Sequence, residues 1–270
     1  MLFDKMLIDF HAHCYPDAVW PKVQAAIFGR YGTQADNSGT IAGLDEKMNA
    51  AGIHLAVVQP VANQPKHVRS VNEWVESVRA GNKNMLFFGA MHPGVEDPYE
   101  EVCSLAMNGF RGVKMQPNAG AYYPDSKECF EIYRALQEND MILLTHAGDE
   151  LKPFTPLYAH PKNFRNVLDS FPELKIIFAH LGGYKTWNDL DIILGYKNAY
   201  YDTAMSCEIC LKEYLELIER VGIDRVLFGT DFPWYDIQKA VDYTRKALGE
   251  KAERIFSENP KKLLYSQGKK

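Results

Sequence analysis

Short runs of apolar, β-branched or aromatic residues recur along the chain, each followed by turn residues and then by a segment of helical spacing. The runs that predict strands are 7–13, 54–61, 85–93, 109–117, 141–148, 175–183, 199–204 and 226–234. Between them, 68–80, 128–138, 211–221 and 237–248 carry apolar residues three and four apart, the signature of an amphipathic helix. Strands alternating with helices predict a parallel sheet covered by helices. Eight such units predict that the sheet closes into a (β/α)8 TIM barrel, built as a single domain over residues 1–270. An open doubly wound sheet would place a glycine-rich phosphate loop after its first strand, and HAHCYP stands there instead. A last helix over 257–265 is expected, with Ser257 as its N-cap. Two connections, 14–43 and 149–163, are long and leave the C-terminal ends of strands, where barrel enzymes build their sites.

Composition narrows the partners. At 46% hydrophobic residues the chain can build a sizeable core, and a net charge of -5 without a basic stripe argues against nucleic acid. No run reaches the roughly 18 unbroken apolar residues of a membrane span. The charged residues Asp4, Lys5 and Asp9 break up the apolar start, so no signal peptide is read there. Five cysteines without framework spacing fit a reducing compartment, with the cytoplasm as the default. Cys207 and Cys210 form an isolated C-x-x-C with no partner pair and are read as structural. An exposed apolar helix face, if one forms, would point to a homodimer.

The chemistry gathers at strand ends. His11 and His13 in IDFHAH share one face of a strand, because side chains alternate, so both imidazoles reach the same point. His146 in ILLTHAG, His180 in IIFAHLGG and Asp231 in VLFGTDFPW stand where a strand gives way to its loop. Any one of these has a plain structural reading as a loop contact or a cap. Five on four strands point together to a metal centre of histidine and carboxylate, a donor set that suits zinc, iron or manganese. Asp9, on the same face one layer deeper, either orients an imidazole or is satisfied by backbone. His54, His67 and His160 are read as surface or capping residues, and His92 ends the third predicted strand.

The set of His-x-His, strand-five His, His-Leu-Gly-Gly and Thr-Asp-Phe-Pro resembles the amidohydrolase superfamily across essentially the whole chain. More narrowly it resembles the amidohydrolase-related branch that includes pyrone-dicarboxylate lactonases and aminocarboxymuconate-semialdehyde decarboxylase. The resemblance implies that His11, His13, His146 and Asp231 bind one divalent ion, zinc first and manganese second. It implies that His180 is a catalytic residue outside the ligand set. Lys114 occupies the position of the lysine that is carboxylated in two-metal relatives. With Gln116 beside it, we expect an unmodified lysine that binds substrate at a one-metal site. The expected activity is hydrolysis of a lactone, ester or amide in a small carboxylate-bearing or ring substrate, with Asp231 as proton acceptor. Non-oxidative decarboxylation of an unsaturated or aromatic acid is the alternative, and a barrel that binds without turnover is the third reading. Trp20, Trp187 and Trp234 fall in strand-to-helix connections, which favours a flat substrate, and Arg30, Lys66, Arg69 and Lys185 are candidates for holding an acid.

Overall fold

The computed structural model describes residues 6–35 and 37–265. Its strands are β1 (Ile8–Ala12), β2 (Leu55–Val58), β3 (Met85–Phe87), β4 (Gly89–Ala90), β5 (Gly112–Met115), β6 (Ile142–Thr145), β7 (Lys175–Phe178), β8 (Ala199–Asp202) and β9 (Val226–Leu227). Helical segments separate them, with β3 and β4 as the two pieces of one predicted strand. The residues group into two compact units. Among the described residues, one comprises 6–35, 37–58, 82–86 and 202–265, and the other Gln59–Gly81 and Phe87–Tyr201.

In the first unit, β1 runs parallel to β2 with Ile8 opposite Leu55 and Asp9 opposite Ala56, and the register shifts before Ala12. All five residues of β1 are buried, as a strand covered on both faces must be. The segment after β9 lies along the other edge of β1. There Phe10 donates to the Phe228 carbonyl and His13 to the Phe232 carbonyl, both at 2.7 Å. Helix Leu211–Val221 buries Tyr214, Leu217, Ile218 and Val221, an apolar stripe at three- and four-residue steps. Asp236 caps helix Ile237–Leu248 by accepting from Lys239 N at 2.9 Å.

In the second unit, β4 to β8 form parallel pairs in sequence order. Their apolar side chains are sealed, and helices Pro65–Arg79, Pro98–Met107 and Lys127–Glu138 alternate with them. Ala90 is bracketed by the Asn72 amide, which donates to its carbonyl at 3.1 Å and accepts from its N–H at 2.8 Å.

Two local expectations are corrected. The connection 14–43 contains a helix, Trp20–Tyr31, opened by Pro21 and closed by Gly32 at φ 74°. It buries only Trp20, so no apolar stripe marks it in the sequence. Ser257 is no cap: it lies buried inside the π-turn Arg254–Glu258 that runs into helix Asn259–Tyr265. The other long connection has no helix or strand before the short turn Pro161–Phe164. Side chains hold it instead: Asn118 donates to the Gly148 carbonyl and accepts from Ala159 N, and Asp149 accepts from Glu150 N and Phe154 N, all at 2.9 Å.

Candidate metal centre

Strand alternation puts the His11 and His13 rings on one side of β1, and the turn after β9 brings Asp231 to them. The Nε2 atoms of His11 and His13 are 3.2 Å apart. Asp231 Oδ1 is 3.1 Å from His13 Nε2 and 3.6 Å from His11 Nε2. All three residues are buried. A tetrahedral zinc bound at about 2.0–2.1 Å would hold its ligand atoms about 3.3 Å apart. The observed spacings bracket that value, so the three donors fit one divalent ion.

The partners of these groups prepare them for it. The His11 Nδ1–H donates to Asp202 Oδ2 at 2.8 Å, which leaves the lone pair on Nε2. Asp202 is steadied by accepting from Ala204 N at 3.0 Å. Both Thr230 N and Asp231 N donate to the His11 carbonyl, at 3.2 and 2.7 Å. Asp231 itself has φ 63°, a left-handed conformation that needs such fixing. Gly229 permits the close approach, since a Cβ there would stand 2.9 Å from the His11 Cβ.

Asp9 is satisfied by backbone and by a hydroxyl, not by an imidazole. It accepts from His11 N at 3.0 Å, from Thr230 N at 3.1 Å and from Thr230 Oγ1 at 2.5 Å. Burial still drives its carboxyl up to about 7, against the lowering effect of those three donors. Beside the cluster, Tyr15 stacks on Trp20 at 5.7 Å, and Trp20 meets Trp234 at 5.8 Å. Burial, reinforced by the Asp231 carboxylate, raises the Tyr15 hydroxyl above its ordinary value.

The second unit holds His146, His180 and Lys114. His146 donates from Nε2 to the Asp149 carbonyl at 3.1 Å, leaving Nδ1 as the acceptor for His180 Nε2–H at 3.1 Å. Glu150 Oε1 lies 3.3 Å from His146 Nε2, and Gln116 Nε2 donates to that oxygen at 3.4 Å. His180 sits at φ 58° with its carbonyl accepting from Trp187 Nε1 at 2.9 Å. Lys114 is buried on β5. His92 uses both ring nitrogens, accepting from Gly94 N at 3.0 Å and donating to the Gly120 carbonyl at 3.2 Å, and burial lowers its pKa. Lys185 donates to the Glu150 and Leu151 carbonyls, and Arg69 pairs with Glu73, so these two cations have local work. His160 caps the Pro161–Phe164 turn, accepting from Lys162 N at 3.2 Å. Burial pushes the Cys207 thiol up to about 11, away from reactivity.

Asp202 and Glu150 are the site residues that reading the sequence missed. Asp202 lies inside the predicted strand AYYDTA and ends the observed β8, yet a lone aspartate there looks like any turn residue until its imidazole partner is located.

Against known proteins, the family model described as Amidohydrolase matches residues 8–265. The chain belongs to the amidohydrolase family. It is therefore an enzyme by family, and its parallel strands alternate with helices as that membership requires. No curated protein matches it by sequence. Among solved structures it is similar to an uncharacterised TIM-barrel protein from Bordetella bronchiseptica, at 17% identity and TM-score 0.75, covering 96% of this chain and 98% of that one. It is also similar to 5-carboxyvanillate decarboxylase from Novosphingobium aromaticivorans, complexed with manganese and 4-hydroxy-3-methoxy-5-nitrobenzoic acid, at 16% identity and TM-score 0.72, covering 96% of each chain. A probable 2-pyrone-4,6-dicarboxylic acid hydrolase from Acinetobacter baumannii, with citric acid bound, is similar at 12% identity and TM-score 0.68, covering 96% of this chain and 98% of that one. These likenesses establish the fold as a TIM barrel. No helix among the described residues is long and apolar enough to cross a membrane.

Proposed function

We propose that this amidohydrolase-family enzyme is a metal-dependent hydrolase of a small lactone, ester or amide that carries a carboxylate or a ring. The observation that carries the reading is the convergence of His11 Nε2, His13 Nε2 and Asp231 Oδ1, with the His11 proton tied to Asp202. A divalent ion, zinc or manganese, supplies Lewis acidity there and makes water acidic enough to attack at neutral pH. Asp231 accepts the proton of the attacking water and returns it to the leaving group. Its left-handed backbone, pinned through its own N–H, fixes the direction of that carboxylate. By the family pattern His146 completes the ligand set, through the Nδ1 lone pair that here accepts from His180. His180 then stabilises the developing negative charge, and unmodified Lys114 binds the substrate carboxylate.

One observation favours a second reading. The decarboxylase from Novosphingobium shares the fold and was solved with manganese and a nitrobenzoic acid. On that reading a bound ion would activate water or substrate, and Asp231 and His180 would deliver the proton from it to the carbon that loses carbon dioxide. Metal-loaded protein assayed against pyrone-dicarboxylate lactones, small amides and carboxylated phenols decides between them. Ring opening or amide cleavage supports hydrolysis, and release of carbon dioxide from the phenolic acids transfers the assignment to decarboxylation. Loss of both activities on chelation, with recovery on adding zinc or manganese, is expected under either reading. Full activity in chelator would sink both.

A further inference from the structure

Tyr15 stands at the next odd position after His11 and His13. It pairs as a strand residue with Thr40 and donates its N–H to the Gly39 carbonyl at 2.8 Å. Its ring stacks on Trp20, only 22° from parallel, and Trp20 in turn meets Trp234. Gly39 makes room for this arrangement, because a Cβ there would stand 2.4 Å from the Trp20 ring. Thr40 anchors the same stretch as the N-cap of helix Ile41–Ala51, accepting from Gly43 N at 3.2 Å. Tyr15 is thus held by its backbone and by one ring face, in the unit that carries His11, His13 and Asp231.

The hydroxyl at the end of this fixed ring has no work inside the protein. It makes no hydrogen bond among the described residues, although it is not sealed from solvent. The Asp231 carboxylate is close enough to act on it electrostatically, yet no hydrogen bond joins the two. The indole N–H groups of Trp20 and Trp234 are likewise unpaired among the described residues and open to solvent. Trp20 is only 9% exposed, and polar groups so deeply placed nearly always have a partner. Three donors beside one metal triad therefore await acceptors from outside the chain. With Trp20 on one face of Tyr15, the partly exposed ring offers its other face and its hydroxyl edge, a surface that suits a flat ring.

We propose that Tyr15 is a substrate-contacting residue of the metal centre, its hydroxyl donating to an oxygen borne by a flat ring. This rests on the metal-dependent reading above, but not on the choice between hydrolysis and decarboxylation. A site built to donate to an oxygen discriminates against analogues that lack it, so Tyr15 narrows the substrate to oxygen-substituted planar rings.

The test is Tyr15→Phe, which deletes the hydroxyl and keeps the stacked ring. Zinc-loaded full-length protein is titrated with benzoate, a flat ring with an oxygen acceptor, and followed by tryptophan fluorescence. The parent should bind saturably below about 10 mM, and Tyr15→Phe at least tenfold more weakly, the scale of a hydrogen bond to a charged group. Zinc content and thermal melting should not change, because no hydrogen bond among the described residues is lost. In turnover of whichever substrate the parent accepts, KM should rise at least tenfold with kcat within about threefold, the pattern of a ground-state contact. Equal benzoate affinity in the two proteins would mean that the hydroxyl serves only solvent, and would overturn the proposal. No saturable benzoate binding by the parent would overturn it too, as would loss of zinc or of melting temperature in Tyr15→Phe. The titration needs no turnover, so a parent fully active in chelator would sink the metal-dependent reading separately.

Discussion

In the first unit His11 gives its Nδ1 proton to a carboxylate, whereas in the second unit His146 gives its Nε2 proton to a main-chain carbonyl. Both bonds choose a tautomer and fix a ring. Asp202 puts its negative charge directly on the hydrogen bond, at 2.8 Å, and so raises the basicity of His11 Nε2. The Glu150 carboxylate stands further from His146, at 3.3 Å, and shares that oxygen with Gln116. The surroundings differ in the same sense. His11 and His13 converge with a third donor, Asp231, while His146 and His180 face each other as a donor–acceptor pair. Identical side chains at identical strand ends are thus prepared for different tasks by what stands behind them.

The largest effect should come from removing the converging pair. His11→Ala combined with His13→Ala is expected to abolish both bound ion and turnover, against about one divalent ion per chain in the parent by elemental analysis. Near-zero metal in the parent would break the comparison at its root. Next, His180→Asn should retain metal while losing on the order of 10²- to 10⁴-fold in turnover. His146→Asn should lose metal and turnover together. Metal-free His180→Asn protein would make the two histidines equivalent.

Asp202→Asn sharpens the contrast between carboxylate and carbonyl anchors. It keeps an oxygen for His11 but removes the charge, so metal affinity should fall about 10- to 100-fold in a competition titration with a chromophoric chelator. An unchanged affinity would mean that ring orientation alone matters. The smallest effect is expected at Thr230→Val, which deletes the hydroxyl bond to Asp9 and leaves the metal donors untouched. Unfolding by urea should report a loss of about 2 kcal/mol with metal content unchanged.

Much of this contrast was legible in the chain. The alternation that put His11 and His13 on one face, and the strand-end positions of His146, His180 and Asp231, follow from a period of two and an apolar run. The expected helices 211–221 and 237–248 coincide with the observed ones because each buries a continuous stripe. What stayed hidden depends on three-dimensional partners. Asp202 carries no local mark, because its partner His11 is 191 residues away. Asp9 shares the inward parity of the histidines, yet its oxygens go to Thr230 and to backbone, a choice set by the crossing of β1 with the segment after β9. Ser257 looks like a cap until the π-turn carries the helix through it.

Helix Trp20–Tyr31 buries a side chain only at its first residue. Trp20 is wedged between Tyr15 and Trp234, while Phe28 and the residues around it stand in solvent. Few buried contacts oppose the opening of its last two turns, so that part belongs to the least stable fraction of the molecule and can unravel without the rest following. Trp20 remains behind when it does. Because Trp20 rests on the loop that carries Asp231, the C-terminal turns of the helix can fluctuate on their own timescale while the carboxylate keeps its aim.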